Sequence, residues 1–200
     1  MRRHDTILAA ALLLAGLMAL PVAHADETDP DAGSSTHPVL DFGIARGGDK
    51  VLDAHFFFGG RETIHAGDAY SGDFGIEHDF AGSDWGYKLT GGYAVATIGS
   101  LWSSRSFKRF PLDGLFTYSF GRQRIGFGAT YHFEPQLDMN GHGQDVRFHD
   151  APGAVLQYQY WMFGVRYTYV RYRPKDAPGF PDLDGSSLGL FVSIEFGKRD

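Results

Sequence analysis

The sequence predicts an all-β fold in which eight antiparallel strands close into an up-and-down barrel, and three observations predict it. Large apolar and aromatic residues alternate with Gly, polar and charged residues over many segments, the period-two signature of strands with two unlike faces. The connections between those segments alternate short and long. The composition joins 15% aromatic residues to 27 Gly in 200 residues, a pairing foreign both to helical domains and to Gly-rich disordered chains. The chain has no Cys, which excludes a disulfide scaffold, a thiolate metal site and a cysteine nucleophile. Its formal net charge of −6 gives no electrostatic reason to expect nucleic acid as a partner.

Residues 1–25 stand apart from the fold. Arg2 and Arg3 precede an apolar run from Ile7 to Leu20, and Ala23-His24-Ala25 matches the small-x-small cleavage pattern of a secretory signal peptide. At about 14 residues the run is shorter than the roughly 20 that a membrane-spanning helix needs. Its removal takes away two Arg and one Asp and moves the formal charge from −6 to −7. Residues 26–38 begin DETDPDAGSSTH, acidic, small and Pro-containing, and are expected to be a disordered lead-in. No later stretch has the unbroken apolar length of a transmembrane helix.

The strands follow in order within residues 39–196. Leu40, Phe42 and Ile44 oppose Asp41, Gly43 and Ala45. Tyr70, Phe74, Ile76 and Phe80 oppose Ser71, Asp73, Gly75, Glu77 and Asp79. Tyr87, Leu89, Tyr93 and Val95 oppose Lys88, Thr90, Gly92 and Ala94. Leu112, Phe116, Tyr118 and Phe120 alternate with Asp113, Leu115, Thr117 and Ser119. Ile125, Phe127, Ala129, Tyr131 and Phe133 alternate with Arg124, Gly126, Gly128, Thr130, His132 and Glu134. Ala154, Leu156, Tyr158 and Tyr160 oppose Val155, Gln157 and Gln159, and Trp161, Phe163, Val165, Tyr167 and Tyr169 oppose Met162, Gly164, Arg166 and Thr168. The last strand is the cleanest: Leu188, Leu190, Val192, Ile194 and Phe196 against Ser187, Gly189, Phe191, Ser193 and Glu195. Residues 197–200 form a short extension.

The short connections are residues 81–85, 121–123 and a reversal near Tyr160-Trp161, where no Gly, Pro, Asn or Asp marks the turn. The long ones are residues 47–69, 98–110, 135–151 and 173–185. Within the first, VLDAHFFF (51–58), Gly59-Gly60 and RETIH (61–65) read as a hairpin. Its second arm is too short to cross a bilayer, so the count is eight strands and not ten.

The small and polar face carries charges of both signs, at Asp73, Glu77, Lys88, Asp113, Arg124, Glu134, Arg166 and Glu195. A barrel that turns this face inward and its large apolar face outward suits lipid. Short turns at one end and long loops at the other, with an even strand count, are the plan of a transmembrane barrel with periplasmic turns and external loops. Aromatics near strand ends fit two interfacial girdles: Tyr70, Phe80, Trp85, Tyr87, Trp102, Phe110, Phe120, Phe133, Tyr160, Trp161, Tyr172 and Phe196. The rival is a soluble, lipocalin-like periplasmic carrier, which needs the opposite facing.

The strand-loop register and the closing LGLFVSIEF (188–196) resemble small bacterial outer-membrane barrels of the OmpA/OmpX type. Residues 40–48, 109–115, 126–132 and 184–196 also resemble an uncharacterised proteobacterial outer-membrane barrel family with the same order. The resemblance implies export to the bacterial outer membrane. It also implies lipid, lipopolysaccharide, periplasmic chaperones and the barrel assembly machinery as partners.

No catalytic, cofactor or metal residue is assigned, and the reading is a non-enzymatic barrel with a structural or surface-interaction role. Lys88, Arg124 and Arg166 are expected to neutralise Glu77, Asp113, Glu134 and Glu195 inside the barrel, because buried charges are tolerated only when paired. The enzymatic alternative is a lipid-modifying enzyme. It would rest on His132 with Glu134, and on Ser187 or Ser193 as the hydroxyl. His142, Asp145, His149 and Asp150 in NGHGQDVRFHD (140–150) are metal-ligand types without a closed ligand spacing. Gly47-Gly48 and Gly91-Gly92 lack the strand-to-helix context of a phosphate loop. The 47–69 loop is the expected contact for an external partner.

Overall fold

The computed structural model describes residues 33–55, 61–98, 105–139, 145–175, 177 and 179–197. The signal peptide, residues 26–32, the Gly59-Gly60 turn, Trp102, His142 and residues 198–200 lie outside the described residues.

The elements in chain order are β1 (Ser35–Arg46), β2 (Lys50–His55), β3 (Arg61–His65), β4 (Ala69–Asp79), β5 (Trp85–Ile98) and β6 (Arg105–Phe120). They continue as β7 (Gln123–Asp138), β8 (Val146–Arg147), β9 (Ala151–Tyr160), β10 (Phe163–Tyr172), β11 (Leu183–Asp184) and β12 (Ser187–Glu195). The wall runs β1-β4-β5-β6-β7-β9-β10-β12, every neighbour antiparallel, and β12 pairs back onto β1 from Val39↔Glu195 to Arg46↔Leu188. The molecule is therefore a closed barrel of eight strands with no free edge. β2 and β3 form the expected hairpin as a separate two-stranded sheet outside the wall.

The alternation decides the facing. Phe42, Ile44, Phe74, Leu188 and Leu190, all from the large apolar sets, are between 51% and 64% exposed, while Asp41, Asp73, Lys88 and Asp113 are buried inside. The facing required by a lipocalin-like carrier is thus reversed.

Tight turns close one end. Gly121 adopts a φ of 65°, which only a residue without a Cβ accepts cheaply, between β6 and β7. The reversal that lacks turn residues is Trp161-Met162, with Trp161 itself at a φ of 56°. Gln159 Nε2 donates to the Trp161 carbonyl at 2.7 Å, which helps to hold that conformation.

Four expectations need correction. β1 begins at Ser35, inside the stretch assigned to the lead-in, because His37 turns into the barrel and is buried there. Residues 105–110 and 135–138, assigned to long connections, belong to the wall: β6 and β7 run on because Phe107 and Leu137 give them an apolar inward face to pack, as Ala96 does for β5. Tyr172, placed in a girdle, points inward and is fully buried. Glu134, placed inside, is exposed. It sits at a φ of 45° where Glu134 and Pro135 together oppose Arg109, and this bulge flips the facing of β7 so that Pro135 and Leu137 turn in instead.

Candidate functional site

The interior is layered along the barrel axis, and each layer follows from which inward positions carry charge. At the turn end Arg124 is the centre. Its Nη1 lies 2.6 Å from Glu77 Oε1 and 2.6 Å from Glu195 Oε1, and its Nε donates to Ser119 Oγ at 3.0 Å. Thus β7 supplies one cation that gathers carboxylates from β4 and β12. His37 Nε2 stands 3.4 Å from Glu195 on the far side. His37, Glu77 and Glu195 bring three ligand-type atoms within 4.8 Å of one another, a metal-like cluster. The guanidinium already supplies the positive charge there, so the chemistry of the donor set is met by Arg124.

The next layer holds two cations. Lys88 of β5 lies 2.7 Å from Asp41 Oδ2 and donates to Ser193 Oγ at 3.1 Å, itself fully buried. Arg166 of β10 lies 2.8 Å from Asp113 and donates to Gln157 Oε1 at 3.0 Å. Asp41 also faces Arg166 at 3.6 Å, so one carboxylate links both cations. The inward Phe191 ring sits between them, 5.9 Å from Lys88 Nζ and 5.4 Å from the Arg166 guanidinium carbon. Gly164 makes room for that ring: a Cβ built there would overlap Phe191.

Above the charges the filling becomes apolar. Ile64, Ala96, Phe107, Leu137, Phe148, Val170, Tyr172 and Leu183 form one buried cluster, with Phe107 edge-on to both Phe148 and Tyr172. Here the loop segments turn inward. Arg109 fixes them by donating to the Ala66 carbonyl at 3.1 Å and the Gly67 carbonyl at 3.3 Å. Asp68 accepts from the Gly47 and His65 amides at 3.1 and 2.9 Å, which ties the foot of the β2–β3 hairpin to the end of β1. The interior space lined by Asp41, Ser71, Asp73, Arg166 and Phe191 is about 40 Å³, enough for ordered water and too small for a carried ligand.

The pairing expected for Lys88, Arg124 and Arg166 is present, with Asp41 in the place assigned to Glu134. The signal for Asp41 was in the sequence, since it alternates with Leu40 and Phe42. His37 and Arg109 escape the sequence reading, because the lead-in and loop assignments cover them, whereas the alternation already sets Phe191 on the inward face. The groups of the enzymatic alternative do not converge. His132 Nδ1 is 2.7 Å from the Tyr172 hydroxyl, Glu134 faces away from the interior, and Ser193 is bound to Lys88. Of the four metal-ligand types in residues 140–150, Asp145, His149 and Asp150 are exposed. Asp145 and Asp150 accept from the backbone amides of Met139 and Glu134, both at 2.9 Å.

Outside, twenty-four large apolar or aromatic side chains among the described residues are exposed. At about 1 kcal/mol for each half-exposed side chain, leaving such a band in water would cost tens of kcal/mol. That exceeds the whole stability of a typical domain. A band of this size needs a hydrocarbon solvent, and the barrel spans a membrane.

No protein-family model matches the chain, and no curated protein does. Among solved structures it is similar to Ail, the attachment invasion locus protein of Yersinia pestis in complex with the heparin analogue sucrose octasulfate. That likeness has 13% identity over 81% of this chain and 99% of that one, with a TM-score of 0.39. It is also similar to Neisserial surface protein A, at 13% identity over 80% and 98% of the two chains and a TM-score of 0.42. A third is the N-terminal β-barrel domain of Pseudomonas aeruginosa OprF, at 11% identity over 79% and 97% and a TM-score of 0.37. All are small eight-stranded outer-membrane barrels.

Proposed function

We propose that the chain is a non-enzymatic outer-membrane barrel, exported through a cleaved signal peptide, with a structural or surface-interaction role carried by its loops. One observation supports this most: two layers of paired charge lie under an apolar plug, inside a wall whose outer face is apolar. Such an interior holds the wall together, and eight strands close around a space that side chains fill. The loop end is anchored to the wall through Arg109 and Asp68, so the 47–69 loop presents its hairpin to an external partner from a fixed base. Lipid and lipopolysaccharide surround the band, and chaperones and the assembly machinery deliver the chain.

The test is fractionation of expressing cells, with boiled and unboiled samples compared on a detergent gel and lipid A compared between deletion and parent strains. The expected result is an outer-membrane protein with heat-dependent mobility and an unchanged lipid profile. A soluble periplasmic species with no mobility shift would remove the membrane assignment, and an altered lipid A would restore the enzymatic alternative.

A further inference from the structure

Asp41 of β1 and Asp73 of β4 stand directly opposite each other in the β1–β4 ladder, both inside the barrel and buried, at 1% and 4% exposure. Like charges at opposed positions repel, and burial removes the water that would screen them. The cations of this layer offset only part of that charge. Lys88 lies 2.7 Å from Asp41, and Arg166 lies 2.8 Å from Asp113 and 3.6 Å from Asp41. Asp73 is in no ion pair among the described residues, and its side-chain hydrogen bond comes from the neutral Ser71 hydroxyl. Three carboxylates therefore face two cations, and the layer keeps one negative charge.

Neighbouring layers do not supply the missing charge. Towards the turn end Arg124 already faces Glu77 and Glu195, and towards the loops Arg109 is turned to the Ala66 and Gly67 carbonyls. Asp73 instead borders the interior space of about 40 Å³, where Asp41, Ser71, Thr168 and Ser187 also bring side-chain oxygens. Asp41 Oδ1 takes a Lys88 hydrogen bond at 2.9 Å, whereas its buried Oδ2 accepts none. Arg166 lines the same space, with its charge committed to Asp113 and Asp41.

We propose that this space binds one monovalent cation of sodium size, held by the Asp73 carboxylate with Asp41 and the hydroxyls of Ser71, Thr168 and Ser187, and completed by water. An uncompensated carboxylate in a low-dielectric interior is costly, so a counter-ion is retained there. Carboxylate, hydroxyl and water oxygens are the donors that hard cations take. One unit of charge is what the layer lacks, and a divalent ion would leave an excess of the opposite sign. At roughly 10–15 Å³ for each water-sized occupant, the space admits the ion and about two waters. The site lies in the barrel interior and stands whatever the loops bind.

The full-length barrel is refolded in detergent micelles at pH 8, in sodium chloride or in N-methylglucamine chloride of equal ionic strength, and its urea midpoint is read by Trp fluorescence. Sodium is expected to raise the midpoint, and each tenfold rise in sodium above its dissociation constant should multiply the folding equilibrium constant about tenfold. Asp73→Asn should lose the sodium response and match or exceed the unmodified protein in the sodium-free buffer, because a neutral amide needs no counter-ion. Ser71→Ala keeps every charge and should raise the sodium needed for the half-response about fivefold, equivalent to one neutral hydroxyl contact. Equal midpoints in both salts for the unmodified protein, or a sodium response that survives in Asp73→Asn, would overturn the site. A midpoint indifferent to sodium but raised at pH 5 in the unmodified protein, and not in Asp73→Asn, would place a proton on Asp73 and overturn the proposal. A response to calcium and not to sodium would overturn the monovalent assignment.

Discussion

Lys88 Nζ lies 2.7 Å from Asp41 Oδ2, with the two side chains 0% and 2% exposed, and this contact joins β5 to β1 across the barrel interior. Neither charge has water to fall back on. Removing one partner leaves a buried charge uncompensated, which costs about 3–5 kcal/mol. Lys88→Met is therefore expected to lower the urea midpoint of the refolded barrel strongly. The double variant Lys88→Met/Asp41→Leu should regain much of the loss, since an apolar pair of similar volume needs no compensation. Intrinsic fluorescence of the three Trp residues reports the transition. A double variant as unstable as the single one would show that the pair acts through its other partners, Ser193 and Arg166.

Gly164 and Phe191 face each other across β10 and β12, and a Cβ at residue 164 would overlap the ring. Gly164→Val is expected to cut refolding yield and lower stability by about 1–3 kcal/mol, the usual cost of overpacking. Phe191→Leu in the same chain should relieve part of it by withdrawing the ring, the remainder being the Tyr158 carbonyl that a Cβ there would also meet. The readout is the fraction of heat-shifted barrel on an unboiled gel. An undiminished fraction for Gly164→Val alone would mean that the ring moves aside at little cost.

The strand order and the facing were legible because each outward position from Leu188 to Ile194 is large and apolar while its neighbours, Phe191 apart, are small or polar. The inner charges were legible for the same reason, and Lys88, Arg124 and Arg166 find partners as the alternation requires. What escaped is where the period breaks. Glu134 continues the alternation in sequence, yet a one-residue bulge turns it outward and turns Pro135 inward. The height of the wall also escaped. The inward residues Ala96, Phe107 and Leu137 draw their strands above the band by packing with residues remote in sequence, and no local pattern records that contact.

Asp184 sits outside the membrane, where its Oδ1 accepts from the Ser186 hydroxyl at 2.6 Å and from the Ser186 amide at 2.9 Å. These bonds hold its carboxyl below the ordinary value of 3.8. A carboxyl lowered in the folded state adds order that is complete above its unfolded value and is lost as the pH falls through its folded value. Amide exchange of residues 183–187 is thus expected to be slow at about pH 5 and faster at about pH 2 than the intrinsic pH dependence predicts. Ser186→Ala should remove most of that difference. Equal protection in both proteins at both pH values would show that β11 is held by its pairing with β10 alone.

Phe107 and Tyr172 meet edge to face, centroids 5.3 Å apart, in the apolar plug that closes the loop end. Below them the barrel is filled by ion pairs and above them by loop segments, so passage along the axis requires both rings to leave. The unmodified barrel in a planar bilayer is expected to show no steady single-channel conductance. Truncating one ring should destabilise by about 3–5 kcal/mol. Truncating both, in Phe107→Ala/Tyr172→Ala, opens a void that reaches the polar layer around Arg166 and Asp113, where water can enter. That variant is expected to give small, flickering currents and faster exchange of the Asp113 and Arg166 backbone amides. Steady currents in the unmodified protein would mean that a path bypasses the plug, and silence in a folded double variant would place the seal at the Lys88–Asp41 and Arg166–Asp113 layer itself.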